Sequence, residues 1–527
     1  MKFGAIYCIY DDHEYLDISI LPIKDCLDKV LFLISDVPWN GEKSNNSETI
    51  KYVENLCSKH PNNFELIQGH WENEIDQRNF GLFQFFKEKI DYAFIIDSDE
   101  IYHDFQFKNM ITYIKQNPAI DAFHIEWDTF WKKDYCIIRP REDFRPIVAV
   151  KVKNFQFTII RGGITSIMRT TSAVFKTQSQ TYNGVIIPGD IVVGCHLSYA
   201  RSDEYIKRKL ETNSHHDEFI GGWYENIWKK WNLNMRNLHP INPQQYNIAL
   251  KADLVSIPQQ LKTFIKKERL PDRKCSIVIL NWNSCSLLKK CLNAISRNTK
   301  RKNIEVIIVD NGSTKDNSVE FIKKLDMKFP IKTIFNKENH GFIVGSNQGM
   351  LNADPKSDIC LLNVDAIVQE GWLNELYNTL INIPEAGIVG PLGNEVASGH
   401  QKEGYVERDT IVPNLYGYCM LIMNEVIEKI GYLDERYKIG GYEDNDYCVR
   451  TKLAGYETII SAKSLVKHKA HQVYTLNKID DNKRQKIDEA NEKKYLNKFF
   501  GVLLQYSKVY NLFENNGLAK AEGLVIK

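Results

Sequence analysis

The sequence predicts an α/β fold that occurs twice along the chain. Short apolar runs rich in Val, Ile and Leu, bounded by polar turns, alternate with longer segments of helical period. Continuous apolar runs are typical of strands covered on both faces, as in a parallel sheet between helices. Four landmarks of the first half return in the same order, at similar spacing, in the second half. We therefore expect two diverged copies of one fold.

The predicted strands of both halves end at polar turns in corresponding places. The strands expected in the first half are 4–10, 30–35, 64–69 and 92–97, and those in the second half are 275–282, 305–310, 331–336 and 358–365. The segments between them, such as 285–298, are long enough for crossover helices. The paired landmarks are Tyr10 with Trp282, Asp36 with Asp310, Asp99 with Asp365, and His196 with His468.

The domain boundaries follow from the repeat and from local composition, because a polar, basic stretch with two prolines separates the halves. The expected parts are an N-terminal domain over 1–255, a linker over 256–273, a C-terminal domain over 274–475 and a helical extension over 476–527. The extension carries an apolar stripe at 499–513. We expect it to pack on the second domain, with a membrane-surface or subunit contact as the alternative.

Composition excludes several classes of protein. The 527 residues include 68 Lys and Arg against 67 Asp and Glu, so the net charge of +1 gives no general attraction to nucleic acid. No apolar run approaches the ~18 residues of a membrane-spanning helix. The N-terminus is typical of a strand rather than a signal peptide, and the 11 Cys form no CxxC pair. We expect a cytoplasmic protein, with peripheral contact at the inner face of the membrane left open.

Two acidic turns follow buried strands at matched positions. The first, IIDSDEI, offers Asp97 and Asp99, and the second, LLNVDAIV, offers Asp365 with Asn363 as a neutral oxygen ligand. Ligands of open α/β sheets bind at the carboxyl ends of strands. Carboxylates there can share a hard divalent cation that also binds phosphate oxygens. A turn or a helix cap is the alternative explanation, since Asp and Asn favour both.

Both halves contain several recognisable motifs. Those of the second half are SIVILNWNS, VIIVDNGSTKDNS, NKENHGFIVGSNQGM, LLNVDAIV, YGYCMLIMNEVIEKIGYLDERY and GYEDNDYCVRTKLAGYE, and those of the first are GHWENEIDQRNFGL, IIDSDEIY and CHLSYARSDEY. On these motifs, the second half resembles a glycosyltransferase family 2 domain of the GT-A fold over residues 275–475, and the first half resembles the same superfamily more distantly over residues 1–205. The fold class implied is α/β, with two GT-A-type, Rossmann-like nucleotide-diphospho-sugar transferase domains in tandem.

The resemblance implies a metal-dependent hexosyltransferase that moves a sugar from a nucleotide-diphosphate donor to a glycan or lipid-linked glycan acceptor, with inversion. Mn²⁺ or Mg²⁺ at the acidic turn would neutralise the departing diphosphate. The general base would be Asp444 of GYEDNDY, with Glu443 orienting the acceptor hydroxyl. The alternative is that Glu443, Asp444 and Asp446 are first-turn charges that favour a helix N-terminus. Arg450 is spaced to pair with Asp446 on that helix.

Further roles in the second half come from the same resemblance. Asp310 and Asn281 would contact the nucleoside, and Asn363 would add a neutral oxygen at the acidic turn. Asn339 and Gly341 open a helix at a point where a small residue permits close backbone approach. Asp365 would hold the metal, with His468 as a further ligand or a diphosphate contact and His471 as its alternative.

The first-half assignments are parallel but less complete. The nucleotide role falls to Asp36, and Arg78 would contact the diphosphate, because a guanidinium suits phosphate. The metal role falls to Asp97, Asp99 and His196. The base stays open between Asp128 and the pair Glu142–Asp143.

The function expected from these parts is a bifunctional transferase that adds two sugars in turn, with a role in capsule or surface polysaccharide synthesis resting on analogy. One alternative is a single active C-terminal transferase with an N-terminal glycan-binding or scaffold domain. The other is a sugar nucleotidyltransferase, although YCIYDDHEYL lacks the Gly-rich phosphate loop that such enzymes carry.

Overall fold

The chain folds into two compact units, Met1–Phe264 and Ile265–Lys527. The computed structural model describes residues 1–39, 45–132, 136–157, 163–164, 173–176, 181–212, 220–253, 255–393, 401–402, 406–437, 439–469, 472–477, 482 and 484–499.

The first unit is an α/β structure with a mixed main sheet and a smaller second sheet. Its helices are α1 (Leu16–Ile20), α2 (Ser47–Lys59), α3 (Glu74–Lys87), α4 (Asp104–Gln116) and α5 (Asp203–Thr212). Its strands are β1 (Phe3–Ile9), β2 (Lys29–Ser35), β3 (Phe64–Gly69), β4 (Tyr92–Ile95), β5 (Glu100–Ile101), β6 (Ala122–His124), β7 (Glu126–Trp131), β8 (Cys136–Arg139), β9 (Arg145–Lys151), β10 (Gly163–Ile164), β11 (Ala173–Lys176), β12 (Thr181–Ile186), β13 (Val193–Tyr199) and β14 (Ile248–Lys251).

The main sheet of the first unit has the strand order β11-β12-β6-β9-β4-β1-β2-β3, with β10 on β9. Strands β1 to β4 pair in parallel, and β9 runs antiparallel to β4 and β6. The smaller sheet has the order β14-β8-β7-β13-β5. Strand β1 is buried along almost its whole length, as expected for an apolar strand covered on both faces.

The segment that the sequence suggests to be a polar linker, 256–273, contains helix α6 (Gln259–Arg269). The division between the two units falls inside this helix. Its apolar side chains Leu261 and Ile265 are four residues apart and therefore lie on one face of the helix. Both are buried.

The second unit is also α/β. Its helices are α7 (Cys285–Asn298), α8 (Ser318–Lys323), α9 (Phe342–Leu351), α10 (Trp372–Asn382), α11 (Asn424–Ile430), α12 (Glu443–Leu453) and α13 (Gln472–Leu476), and residues 484–499 form a further helix. Its strands are β15 (Cys275–Asn281), β16 (Ile304–Asp310), β17 (Ile331–Phe335), β18 (Asp358–Leu362), β19 (Ala366–Val368), β20 (Ala386–Leu392), β21 (Thr410–Ile411), β22 (Cys419–Ile422) and β23 (Glu457–His468).

The sheet of the second unit has the order β17-β16-β15-β18-β22-β20-β23-β19, with β21 on β23. Strands β15 to β18 pair in parallel, and β22 runs antiparallel to β18 and β20. The two units thus share one strand arrangement. The order β9-β4-β1-β2-β3 in the first unit corresponds to β22-β18-β15-β16-β17 in the second, with β9 and β22 antiparallel to their neighbours. The predicted α/β fold class is confirmed.

Candidate active site

A cavity of about 900 Å³ lies in the second unit where the parallel strands end. It collects side chains from the segments that follow β15, β16 and β18 and from the start of α9 and α12. The sequence-predicted residues that line it are Asn339, Gly341, Asn363, Asp365, Glu443, Asp444 and His468. Residues far apart in the chain therefore meet at the strand ends, where ligands of α/β sheets bind.

Asp365 and His468 form one wall of this cavity. Asp365 lies in the turn between β18 and β19, and β19 pairs with the end of β23 so that Ala366 stands opposite His468. This register brings Asp365 Oδ1 to 3.3 Å from His468 Nε2. The His468 ring stacks on Tyr418 with ring centroids 4.8 Å apart, which fixes its orientation.

The donor atoms of this pair fit a divalent cation. Asp365 is 5% exposed, and its buried Oδ1 accepts no hydrogen bond from the described residues despite its closeness to His468. A carboxylate oxygen and an imidazole nitrogen are both ligands that Mn²⁺ accepts. No group of three or more His, Cys, Asp or Glu converges on a metal position within the described ranges. Asp365 and His468 could therefore supply two ligands to such a cation. The alternative ligand His471 lies outside the described residues.

Glu443 and Asp444 form the opposite part of the site, at the start of α12. The chain enters this helix through a turn in which Ile439, Gly440, Gly441 and Tyr442 all have positive φ. Asp444 Oδ2 accepts the Gly417 backbone N–H at 3.0 Å. Burial raises the pKa of Asp444. Burial and the neighbouring Asp444 charge raise the pKa of Glu443 to about 8, so the pair holds a proton at neutral pH.

The third acid at the start of α12 has a structural role. Asp446 is fully buried and pairs with Arg450 Nε at 2.6 Å, as the helical spacing predicts, and with Lys498. Tyr437 Oη donates to it at 3.0 Å. The explanation of first-turn charges as structural therefore holds for Asp446, whereas Glu443 and Asp444 face the cavity.

Asn311 organises the part of the cavity next to α9. Its Nδ2 donates to Asn339 Oδ1 at 2.8 Å and to the Gly341 carbonyl at 3.0 Å. Gly341 has φ 89° and precedes α9, and a Cβ there would lie 3.1 Å from Ile439 Cα. The close backbone approach expected at Gly341 is thus observed. Asn311, which the sequence analysis did not single out, follows Asp310 directly in the VDNGS motif.

Asp310 and Asn281 are not among the residues that line the cavity. They are 1% and 0% exposed, and Asn281 Nδ2 donates to Asp310 Oδ1 at 2.8 Å. Asp310 Oδ2 also accepts the Ser313 backbone N–H at 3.0 Å. The structure places them beneath the site, as supports for the loop that carries Asn311. This differs from the direct nucleoside contact expected from the sequence.

The helix 484–499 contributes residues that motif analysis missed. Arg484, Ile487 and Asp488 line the cavity from this helix. Their segment is polar and matches none of the family motifs, so the sequence suggests only packing. The observed position adds a basic and an acidic side chain to a site otherwise formed by the strand ends.

The first unit repeats the geometry of the acidic turn. Strand β5 pairs with β13 so that Glu100, the residue after Asp99, stands opposite His196. Asp99 Oδ1 lies 3.9 Å from His196 Nε2. The His196 ring stacks on Trp127 at 4.0 Å between ring centroids. The alignment of Asp99 with Asp365 and His196 with His468 therefore has a direct counterpart in strand register.

Arg78 is buried and ion-paired within the first unit, whereas Asp36 lies at its surface. Arg78 is 2% exposed, and its Nη2 pairs with Glu74 at 2.8 Å and Asp97 at 3.2 Å. This nitrogen is thus committed to carboxylates of the unit itself, whereas the buried Nε and Nη1 have no hydrogen-bond partner among the described residues. Asp36 accepts from His70 Nδ1 at 2.8 Å on the surface, with 61% of its side chain exposed.

The structure argues against Asp128 as the base of the first unit. Its Oδ1 accepts from Arg139 Nη1 and from Arg141 Nε, each at 2.8 Å, and Arg141 Nη2 reaches its Oδ2 at 3.2 Å. A carboxylate held by two guanidinium groups is poorly placed to take a proton from an acceptor hydroxyl. In the rival pair Glu142–Asp143, burial raises the pKa of Glu142.

Comparison with known proteins finds a family match within the second unit. Residues 276–431 match the family model described as Glycosyl transferase family 2. The family resemblance seen in the motifs is thereby confirmed for this part of the chain.

Named relatives match only part of the chain. It is 27% identical over 198 residues to the low-salt glycan biosynthesis hexosyltransferase Agl10 of Haloferax volcanii, covering 34% of this chain and 61% of that protein. It is 28% identical over 112 residues to the glycosyltransferase GlyA of Streptococcus pneumoniae serotype 4, covering 21% and 16%. An uncharacterized protein of Sinorhizobium fredii, y4gI, is 23% identical over 209 residues, covering 35% and 23%. The chain spans less than two thirds of the length of each of these relatives.

Similar solved structures include GalNAc-T7 with UDP, GalNAc and Mn²⁺, at a TM-score of 0.33 and 18% identity, covering 37% of this chain and 43% of that one. Another is S. aureus TarS, at a TM-score of 0.33 and 15% identity, covering 43% of each chain. Within the described residues, no helix has the length and apolar character needed to cross a membrane.

Proposed function

We propose that the second unit is an inverting, metal-dependent glycosyltransferase that moves a sugar from a nucleotide-diphosphate donor to a glycan hydroxyl. The observation that carries the proposal is that Asp365, His468, Glu443 and Asp444 line one cavity at the carboxyl ends of the parallel strands. The family match over 276–431 supports the reaction class.

In this proposal the acceptor hydroxyl gives its proton to the acidic pair. Asp444 is the base, held in place by the backbone N–H groups of Gly417 and Asn445. Glu443, whose pKa is raised, holds a proton at neutral pH and can donate a hydrogen bond to the acceptor. A positioned base of this kind contributes roughly 10²- to 10⁴-fold to the rate.

The departing diphosphate is received at the opposite wall. Asp365 and His468 would hold Mn²⁺ or Mg²⁺, which supplies positive charge for the leaving group when bound. The start of α9 opens onto the same cavity through Gly341 and Phe342. The N-terminus of a helix favours a phosphate, because its backbone N–H groups and dipole are positive.

Paired substitutions test this proposal. Asp444→Asn removes the base and is expected to lower kcat by about 10²- to 10⁴-fold. Asp365→Asn is expected to raise the Mn²⁺ concentration needed for half-maximal rate. The measurement is nucleoside diphosphate release from a panel of nucleotide sugars, with Asp326→Asn as control, because exposed Asp326 does not line this cavity. Full activity of Asp444→Asn would contradict the proposal.

We further propose that the first unit is a second, diverged transferase, so that the chain adds two sugars in turn. The support is the shared order of the parallel strands and the matched registers at His196 and His468. A role in surface polysaccharide synthesis on the cytoplasmic side, with a glycan or lipid-linked acceptor, is consistent with a relative named for glycan biosynthesis.

The alternative of a glycan-binding or scaffold role for the first unit keeps one observation in its favour. Its predicted base candidate Asp128 is committed to Arg139 and Arg141. No structural feature described above favours a sugar nucleotidyltransferase over a glycosyltransferase.

A further inference from the structure

The acidic turns of the two units share strand register but differ in their counter-charges. In the second unit, Asp365 Oδ1 lies 3.3 Å from His468 Nε2, and no Lys or Arg of the described residues pairs with Asp365. In the first unit, a guanidinium pairs with each aspartate of the turn: Arg78 with Asp97 at 3.2 Å, and Arg201 with Asp99 at 3.8 Å.

Arg201 is a fixed part of the first unit. It is 1% exposed, and it pairs with Asp12 at 2.8 Å and Glu14 at 2.9 Å. Its guanidinium carbon lies 4.2 Å from the centroid of the Tyr15 ring and 4.6 Å from that of Tyr205. Two ion pairs and two aromatic rings hold this cation, so it cannot move aside when another cation approaches.

A third positive group lies close to the same carboxylates. Lys209 on α5 is half-buried and donates to Ser198. Its electrostatic environment includes Asp99, Asp12 and Asp97. A divalent ion at Asp99 would therefore meet like charges in a poorly solvated region, where repulsion is strong.

We propose that Arg201 and Arg78 occupy the electrostatic role of the divalent cation in the first unit, so that of the two acidic turns only the one with Asp365 takes Mn²⁺ or Mg²⁺. The inference departs from the expectation from sequence that Asp97, Asp99 and His196 hold a metal. The physical reason is that an arginine already pairs with each aspartate of this turn, Arg78 from α3 with Asp97 and Arg201 from the segment after β13 with Asp99. This inference rests on the proposed function only for the metal role of Asp365.

Counting Mn²⁺ ions bound by the full chain tests the inference. Electron paramagnetic resonance of free Mn²⁺ during titration is expected to show one site per chain. Asp365→Asn should remove that site, and the matched substitution Asp99→Asn should leave it. Two sites per chain, or the loss of a site in Asp99→Asn, would overturn the inference.

A second experiment removes the internal cation. Combining Arg201→Gln with Asp365→Asn is expected to create one Mn²⁺ site that Asp99→Asn then abolishes. Arg201→Lys in the same background keeps the positive charge and is expected to bind no ion. Absence of Mn²⁺ binding by the folded Arg201→Gln, Asp365→Asn protein would overturn the inference.

The two experiments separate this inference from the proposed function. A wild-type chain that binds no Mn²⁺ contradicts the metal role of Asp365 in the second unit. In that case, Mn²⁺ binding by the Arg201 variants still shows whether Arg201 excludes the ion from the first unit. If Arg201→Gln does not fold, the comparison of Asp99→Asn with Asp365→Asn decides the question by itself.

Discussion

At the scale of single residues, burial and counter-charge distinguish acids that look alike in the sequence. Asp444 and Asp446 are two positions apart on α12, yet Asp446 is neutralised by Arg450 and Lys498 whereas Asp444 lines the cavity. Glu443 combines burial with an adjacent charge and has a buried Oε2 without a hydrogen-bond donor among the described residues. Its ionisation is therefore unfavourable in the folded protein.

The raised pKa of Glu443 predicts that this residue lowers the free energy of unfolding in a pH-dependent way. The pKa of Glu443 is raised from 4.5 to about 8 in the folded state. Between these values the folded protein holds a proton that the unfolded chain has lost, so the free energy of unfolding falls as pH rises through this window. Because Glu443→Gln removes the titration, the Tm of the wild type should fall relative to the variant between about pH 5 and about pH 8. Thermal unfolding across this pH range measures the difference.

The control for this prediction is Glu320→Gln, which neutralises an exposed carboxylate near the start of α8. Its Tm should follow that of the wild type across the same range. A Tm difference between wild type and Glu443→Gln that does not change with pH would contradict the assignment.

At the scale of elements, the helix 484–499 fixes the turn that leads into α12. Asn491 is 1% exposed, and its Nδ2 donates to the carbonyls of Tyr437 and Gly440, each at 3.1 Å. A Cβ at Gly441 would lie 2.8 Å from Asp488 Oδ1, so the turn and the helix are in close contact. Residues of the helix 484–499 thus stabilise the turn of positive φ that precedes α12.

Asn491 is accordingly predicted to act as a positioning residue. Asn491→Ala leaves two buried carbonyls without this donor, which costs about 1–3 kcal/mol locally, and it loosens the turn before Glu443. We expect kcat to fall roughly tenfold, the equivalent of ~1.4 kcal/mol in the barrier, with little change in the KM for the donor. Steady-state kinetics measure this split.

The matched control is Lys493→Ala on the exposed side of the same helix. It should retain the kcat of the wild type. A rise in donor KM with kcat unchanged in Asn491→Ala would contradict a role in positioning the acidic pair.

At the scale of the whole molecule, the two units share one order of strands but differ in the charges around the acidic turn. Asp365 stands beside a histidine, whereas Asp97 and Asp99 stand beside arginines. If both units transfer sugars, their activities should differ in metal dependence. Such a difference would allow one chain to contain two independently regulated steps.

A chelation experiment separates the two proposed activities. Donor turnover by the second unit is expected to disappear with EDTA or with Asp365→Ala. Turnover by the first unit should survive both and be lost in Asp99→Ala, with Tm measured to confirm that this variant folds. Product analysis across a nucleotide-sugar panel distinguishes the two activities. If Asp99→Ala weakens acceptor binding and leaves all turnover unchanged, the first unit is a binding module.

The α/β class could be predicted from the sequence, because buried parallel strands need continuous apolar runs and those runs are visible without coordinates. The acidic turn after a predicted strand pointed to Asp365, and the family resemblance pointed to Glu443, Asp444 and His468. Which acids pair with arginines could be seen only in three dimensions, because Arg201 and Arg78 reach Asp99 and Asp97 from distant segments. The tertiary structure likewise decided that Asn311 rather than Asp310 lines the cavity and that the helix 484–499 contributes to it, since side-chain direction and long-range packing leave no local signal.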